Sequence, residues 1–152
     1  MQAMHRQIGR SGTLCLINIA PWGIPAWWEL IAPELERAIA FNDGESTLED
    51  EWRALVTGGR SCWIIYCEQR KDLRCVFTTY IHAFERKQVF FVALLSGKGF
   101  KEFSVLETEL SQYAKSCGCH SIQSFVIQRV AEIVKNALPD FQSTHQVLVK
   151  KL

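Results

Sequence analysis

Ser96-Gly97-Lys98-Gly99 lies between an apolar run, Val89 to Leu95, and an amphipathic stretch that starts at Lys101 or Ser104. Glycines give the backbone freedom to turn, and the unpaired amides at a following helix start face that turn with the positive end of the helix dipole. The chemistry this spacing allows is anion binding, of a phosphate above all, although glycines also serve a plain tight reversal. Neither G-x-x-x-x-G-K-[ST] nor G-x-G-x-x-G occurs, and no nucleophile-elbow motif supports a Ser-His-Asp or Cys-His enzyme. Cys117-Gly118-Cys119-His120 is the one cluster of metal-type ligands along the sequence. It lacks the second ligand pair of the usual zinc arrangements, and Gly118 reads as a left-handed helix cap, so no metal is expected. Cys15, Cys62, Cys67 and Cys75 sit in apolar strand-like segments, where a thiol behaves as a small hydrophobe.

The elements that position the turn follow from periodicity. Val89 to Leu95 has no polar residue and suits a strand buried on both faces. Phe103, Leu106, Leu110, Tyr113, Ala114 and Cys117 fall on one helical face, and Ser104 with Glu107 has the spacing of a capping box. Before the central strand, Ser61 to Glu68 and Leu73 to Phe84 form two strands of an antiparallel meander. After the helix, His120 to Val126 returns as a strand parallel to the central one. Residues 1–12 read as a mobile lead-in and 13–152 as a single domain. Thr13 to Ala20 is its first strand, and Pro25 to Phe41 a helix bent or split at Pro33. A helix capped by Ser46 or Thr47 follows and stops at Gly58-Gly59. Gln128 to Leu138 is a last helix with Val130, Ile133, Val134 and Ala137 inward, and Thr144 to Leu152 a closing strand. The fold class is α/β of the α+β type: a mixed, mostly antiparallel sheet flanked by helices, in the order β-α-α-β-β-β-α-β-α-β.

Over 152 residues, 48% hydrophobic content is enough for a sizeable core. With Lys+Arg 17 against Asp+Glu 16, no polybasic run marks nucleic acid as the main partner. No apolar run has bilayer length, and MQAMHRQIGRSG lacks a signal-peptide core, so a protein kept in the cytoplasm, neither secreted nor in a membrane, is expected.

This order resembles the Gcn5-related N-acetyltransferase (GNAT) fold across nearly the whole chain. The match runs through Val89 to Leu95, Gly97 to Gly99, Phe103 to Cys117 and His120 to Val126. More closely, STLEDEWRALVTGGRSCWIIY, VFFVALLSGKGFKEF, LSQYAKSCGC and VLVKKL look like small GNAT-like proteins of tailed bacteriophages. The resemblance implies acetyl-CoA or another acyl-CoA as cofactor, its pyrophosphate at the turn and its pantetheine arm between two splayed strands. It places cofactor contacts at Leu94, Leu95, Ser96, Gly97, Lys98, Gly99, Phe100 and Lys101. The family's signature of Arg or Gln, two residues, Gly, one residue, and Gly or Ala falls on Ser96, Gly99 and Lys101, of which Gly99 fits. The family's acidic tyrosine near the final helix has no counterpart in Gln128 to Phe141.

Acyl transfer to an amine needs a base for the ammonium proton and donors for the carbonyl oxygen. Backbone amides near Leu94 and Leu95 could be those donors. His82, Glu85 and His120 are the candidate bases, Tyr80 and Tyr113 the candidate acids. Each also has a structural explanation: the solvated sheet face for His82 and Tyr80, a turn for Glu85, a strand start for His120 and the helix core stripe for Tyr113. The alternative function is a catalytically inactive phage virion or accessory protein, in the host cytoplasm or on the virion, that binds a phage or host protein through Trp22, Trp27 and Trp28. Such a module could fill its cleft with Phe100 or Phe125.

Overall fold

The apolar, β-rich segments pair into one six-stranded sheet, and the amphipathic stretches cover both of its faces. The computed structural model describes residues 3–42, 44–97, 100–126 and 128–152, with the backbone alone at 100, 128 and 129. In chain order the elements are β1 (His5–Ser11), β2 (Leu14–Ile19), a 3-10 turn (Pro21–Gly23), α1 (Ile24–Ile39), α2 (Leu48–Thr57), β3 (Ser61–Cys67), β4 (Asp72–Ala83), β5 (Gln88–Gly97), α3 (Phe100–Val105), α4 (Glu107–Ser116), β6 (Ser121–Ser124) and α5 (Gln128–Ala137). The strands lie in sequence order across the sheet. All neighbours are antiparallel except β5 and β6, which are parallel, as the sequence predicts.

Two cores result. Trp63, Ile65, Phe77, Phe90 and Val92 pack under α3, α4 and Leu138 at the end of α5. Cys15, Ile17, Ile19, Cys62, Ile64, Val76 and Leu94 pack under α1 and α2 through Ile31, Leu35 and Leu55. Trp27 and Trp28 join the second core, Trp28 edge-on to Trp52 at 4.8 Å, whereas Trp22 stays exposed. Thr47 caps α2 in a full capping box with Asp50, and Gly58 ends it in the left-handed region at φ 82°.

Several expectations are corrected. Residues 5–11 are not lead-in but the edge strand β1. Its polar side chains hide it from a hydrophobicity reading, and backbone pairing to β2 holds it. Its N-terminal end is secured where Ala20 donates to the Met4 carbonyl. Gly23 is required there, because a Cβ would lie 2.2 Å from that Met4 oxygen. α1 is one continuous helix with Pro33 inside it, on the outer face. The helix expected after the turn is broken at Leu106 into α3 and α4, and the Ser104–Glu107 capping box does not form. Ser104 Oγ donates instead to the Lys101 carbonyl and the Glu107 carboxylate accepts from Ser111. The predicted buried face nevertheless holds, with Phe103, Leu106, Leu110 and Ala114 all in the core. On α5, Val134 packs inward, but Ile133 and Ala137 are exposed rather than inward. Residues 144–152 form no closing strand: they have no regular structure, and Val147, Leu148, Val149 and Leu152 are exposed.

Candidate functional site

The apolar run of β5 hides a change of register. Thr79 pairs with Val92 and Thr78 with Leu94, so Ala93 is an extra residue without a partner on β4. This is a β-bulge, and it places Val92 on the α4 side of the sheet and Leu94 on the α1 side, although they are two residues apart. A regular strand would put both on one face. Pairing to β6 ends one step before the bulge, at Val92 and Ser124, while β5 continues to Gly97. Ser124 Oγ donates to the Val92 carbonyl at 2.9 Å and closes the fork. Beyond it, the β6-facing backbone groups of β5 have no strand partner among the described residues. A bulge at the mouth of a fork therefore presents backbone donors into an opening, as an oxyanion site requires.

Around the open half of β5, Leu94 is buried and Leu95 packs against the α4-side core. Ser96 Oγ donates to Glu34 Oε2 of α1 at 3.0 Å; Glu34 is mostly buried and also pairs with Arg37 at 3.0 Å. Gly97 passes so close to β4 that a Cβ would lie 2.5 Å from the Arg74 carbonyl oxygen. Lys98 and Gly99 lie outside the described residues, as does the side chain of Phe100, so their expected phosphate role is carried forward as a proposal. Lys101 is exposed in the first turn of α3. Next to it, Glu102 accepts from Arg74 at 2.9 Å, and Arg74 also holds Asp72 at 3.1 Å. Those Arg74 hydrogen bonds keep the Glu102 carboxyl below its ordinary value, against the desolvation that opposes it.

The candidate bases lie elsewhere. His82 is exposed at the far end of β4, edge-on to Phe84 at 4.4 Å, and Glu85 is exposed in the β4–β5 turn. His120 immediately precedes β6 at the closed end of the fork, where its Nδ1 accepts from the Gln88 amide at 3.2 Å. From Gln88 to Ala93 the strand rises roughly 17 Å. Tyr80 and Tyr113 both border one cavity at that closed end, but on opposite faces of the sheet: Tyr80 stacks on Phe91 at 5.2 Å, whereas Tyr113 packs edge-on to Trp63 at 4.8 Å. Sequence reasoning missed the bulge at Ala93, Ser124 at the fork and the Ser96–Glu34 contact. A run of seven apolar residues buried on both faces carries no alternation from which a register change could be read.

All six cysteines are free. Burial pushes the thiols of Cys62 and Cys75 up to about 12. Among the described residues, no group of three or more His, Cys, Asp or Glu side chains is placed to hold a metal ion. No helix of the described residues is long and apolar enough to cross a membrane.

The mixed, mostly antiparallel six-stranded sheet flanked by helices matches the GNAT-like fold of solved acetyltransferases. The chain is similar over 92% of its length to 97% of an aminoglycoside acetyltransferase from an uncultured soil metagenomic sample, solved with sisomicin, at 13% identity and a TM-score of 0.66. It is similar over 93% to 99% of a glucosamine-6-phosphate N-acetyltransferase from Arabidopsis thaliana, at 14% identity and a TM-score of 0.59. An aminoglycoside N-acetyltransferase in complex with CoA matches 94% of the chain with 97% of its own, at 13% identity and a TM-score of 0.58. No protein-family model and no curated protein matches the sequence.

Proposed function

We propose that this chain is an acyl-CoA-dependent N-acyltransferase. The observation that carries the reading is the bulge at Ala93 set against the fork between β5 and β6, because it presents backbone donors into an opening. A donor set of backbone amides beyond Val92 and an exposed lysine suits a thioester carbonyl and a phosphate. The structural neighbour with CoA bound lends the cofactor class support. Acyl-CoA, when bound, supplies an activated thioester. Amides near Leu94 and Leu95 would stabilise the developing charge on its carbonyl oxygen, and the segment from Ser96 through Gly97, Lys98, Gly99 and Phe100 to Lys101 would hold its phosphates. Glu34, fixed by Ser96 and Arg37 on the open half of β5, would take the proton of the incoming ammonium, directly or through a water.

A second reading, an inactive binding protein of phage origin, rests on the sequence of Gln128 to Phe141, which has no tyrosine to protonate a departing thiolate. Calorimetric titration with acetyl-CoA separates the two. Micromolar binding that disappears in Ser124→Trp, where an exposed position at the fork is filled, supports the enzyme. In that event Glu34→Gln should lower kcat at unchanged cofactor affinity. No binding at millimolar acetyl-CoA removes the acyltransferase reading.

A further inference from the structure

Two parts of this chain are suited to strand pairing and have no strand partner. The first is the outer edge of β6. β6 is the last strand of the sheet and pairs with β5 on one side only. On its other side the backbone donors and acceptors have no partner among the described residues, and such an edge is a template for another strand. The opposite edge of the sheet, β1, is guarded by the charges of Arg6 and Arg10 and by a bulge at Ile8. β6, with the sequence SIQS, has no charge, no proline and no bulge. Just past it Phe125 stacks on Phe91 at 5.6 Å and is still 72% exposed, so an apolar side chain stands uncovered at the end of that edge.

The second part is the C-terminal segment. Val147-Leu148-Val149 puts apolar side chains on both sides of an extended chain, the pattern that β5 shows in a sheet with helices on both faces. Yet these three side chains are 69%, 90% and 71% exposed. From 142 to 150 no backbone group makes a backbone hydrogen bond among the described residues. Adjacent aliphatic side chains held in water mark an interaction site, because covering them is favourable.

The edge and the segment belong to one chain and do not meet in it. Two copies satisfy both at once. Leu138 is anchored in the core, and the chain from there to residue 144 reaches up to about 20 Å when extended, enough to leave its own copy. We propose that residues 144–152 add as a strand to the outer edge of β6 in a second copy of this chain. The exchange is reciprocal, so it closes at a two-fold dimer. Main-chain hydrogen bonds along β6 supply affinity, and Val147, Leu148 and Val149 supply the apolar contact on both sides of the added strand. The arrangement does not depend on acyl transfer, since the fork lies on the inner edge of β6 and the segment takes the outer one.

The test uses the whole chain. Sedimentation equilibrium at about 100 μM should give twice the 17.4 kDa chain mass, falling toward the single mass on dilution to about 1 μM or below. Val147→Lys with Val149→Lys alters side chains that are exposed in a single copy; the double variant should keep the circular dichroism of a folded chain and associate at least about a hundredfold more weakly. In dimers formed from isotope-labelled and unlabelled copies, the methyl protons of Val147 and Val149 should show NMR contacts to the amides of residues 121–124 of the other copy. A monomer at about 100 μM, a dimer that the double variant leaves intact, or contacts from the segment to β6 of its own copy would each overturn the proposal.

Discussion

Deleting Ala93 tests the reading of β5 directly. With the bulge residue gone, Val92 stays opposite Thr79 and Leu94 opposite Thr78, so Val92, Leu94 and Leu95 keep their faces. The core loses one half-buried alanine and the ladder loses an irregularity, so stability should change by no more than about 1 kcal/mol. Deleting Leu94 instead leaves Ala93 opposite Thr78, in the place of a leucine that is 6% exposed. That amounts to a buried leucine-to-alanine change and should cost about 2 to 5 kcal/mol. Urea denaturation of the two deletion variants should therefore separate them by at least about 2 kcal/mol, with the Ala93 deletion near wild type. Acetyl-CoA calorimetry should go the other way for that variant: a regular β5 no longer presents the bulged amides, and binding should weaken at least about tenfold. If the Ala93 deletion were as unstable as the Leu94 deletion, the register would be wrong. If it were stable and bound acetyl-CoA like wild type, the bulge would have no part in the site.

Three further outcomes follow from the core and its edges. Trp63→Ala should destabilise by about 3 to 5 kcal/mol in urea, since Trp63 is fully buried between Phe77 and Tyr113 and donates to Thr79 Oγ1 at 2.9 Å. The Arg74–Glu102 contact should show in the acid limb of stability. Because the folded value of Glu102 lies below its unfolded value of about 4.3, its contribution is whole above that pH and is lost as pH falls through the folded value; Glu102→Gln should flatten the loss between about pH 5 and 3. Iodoacetamide at about pH 8 should label the partly exposed Cys117 while Cys62 and Cys75, buried and with thiols at about 12, stay unmodified until the chain unfolds.

Local rules carried much of this fold. The meander of β3, β4 and β5 is legible in short polar turns between β-rich runs. The α4 face is legible in the spacing of Phe103, Leu106, Leu110 and Ala114. The ends of α2 are legible in Thr47, Asp50 and Gly58, because capping is decided within a few residues. β1 was not legible, because an edge strand needs only backbone partners and His5–Ser11 shows no apolar alternation. Nor was the absence of regular structure at 144–152, where β-rich residues lie exposed.

For the site, the sequence by itself determined the both-face burial of β5 and the return of a parallel strand after the helix; β5 runs through Ser96 and Gly97, which the sequence assigns to the following turn. Only the tertiary structure decided that β5 bulges at Ala93, that β6 parts from it at Ser124, and that His82, Glu85 and His120 stand at the closed end while Glu34 stands at the open one. The physical reason is the range of the interactions. A turn or a helix cap is settled by neighbours a few residues away. Strand register and the meeting of Ser96 with Glu34, or of Arg60 with Tyr80, are settled by packing between segments far apart in the chain, to which a doubly buried apolar strand offers no local clue.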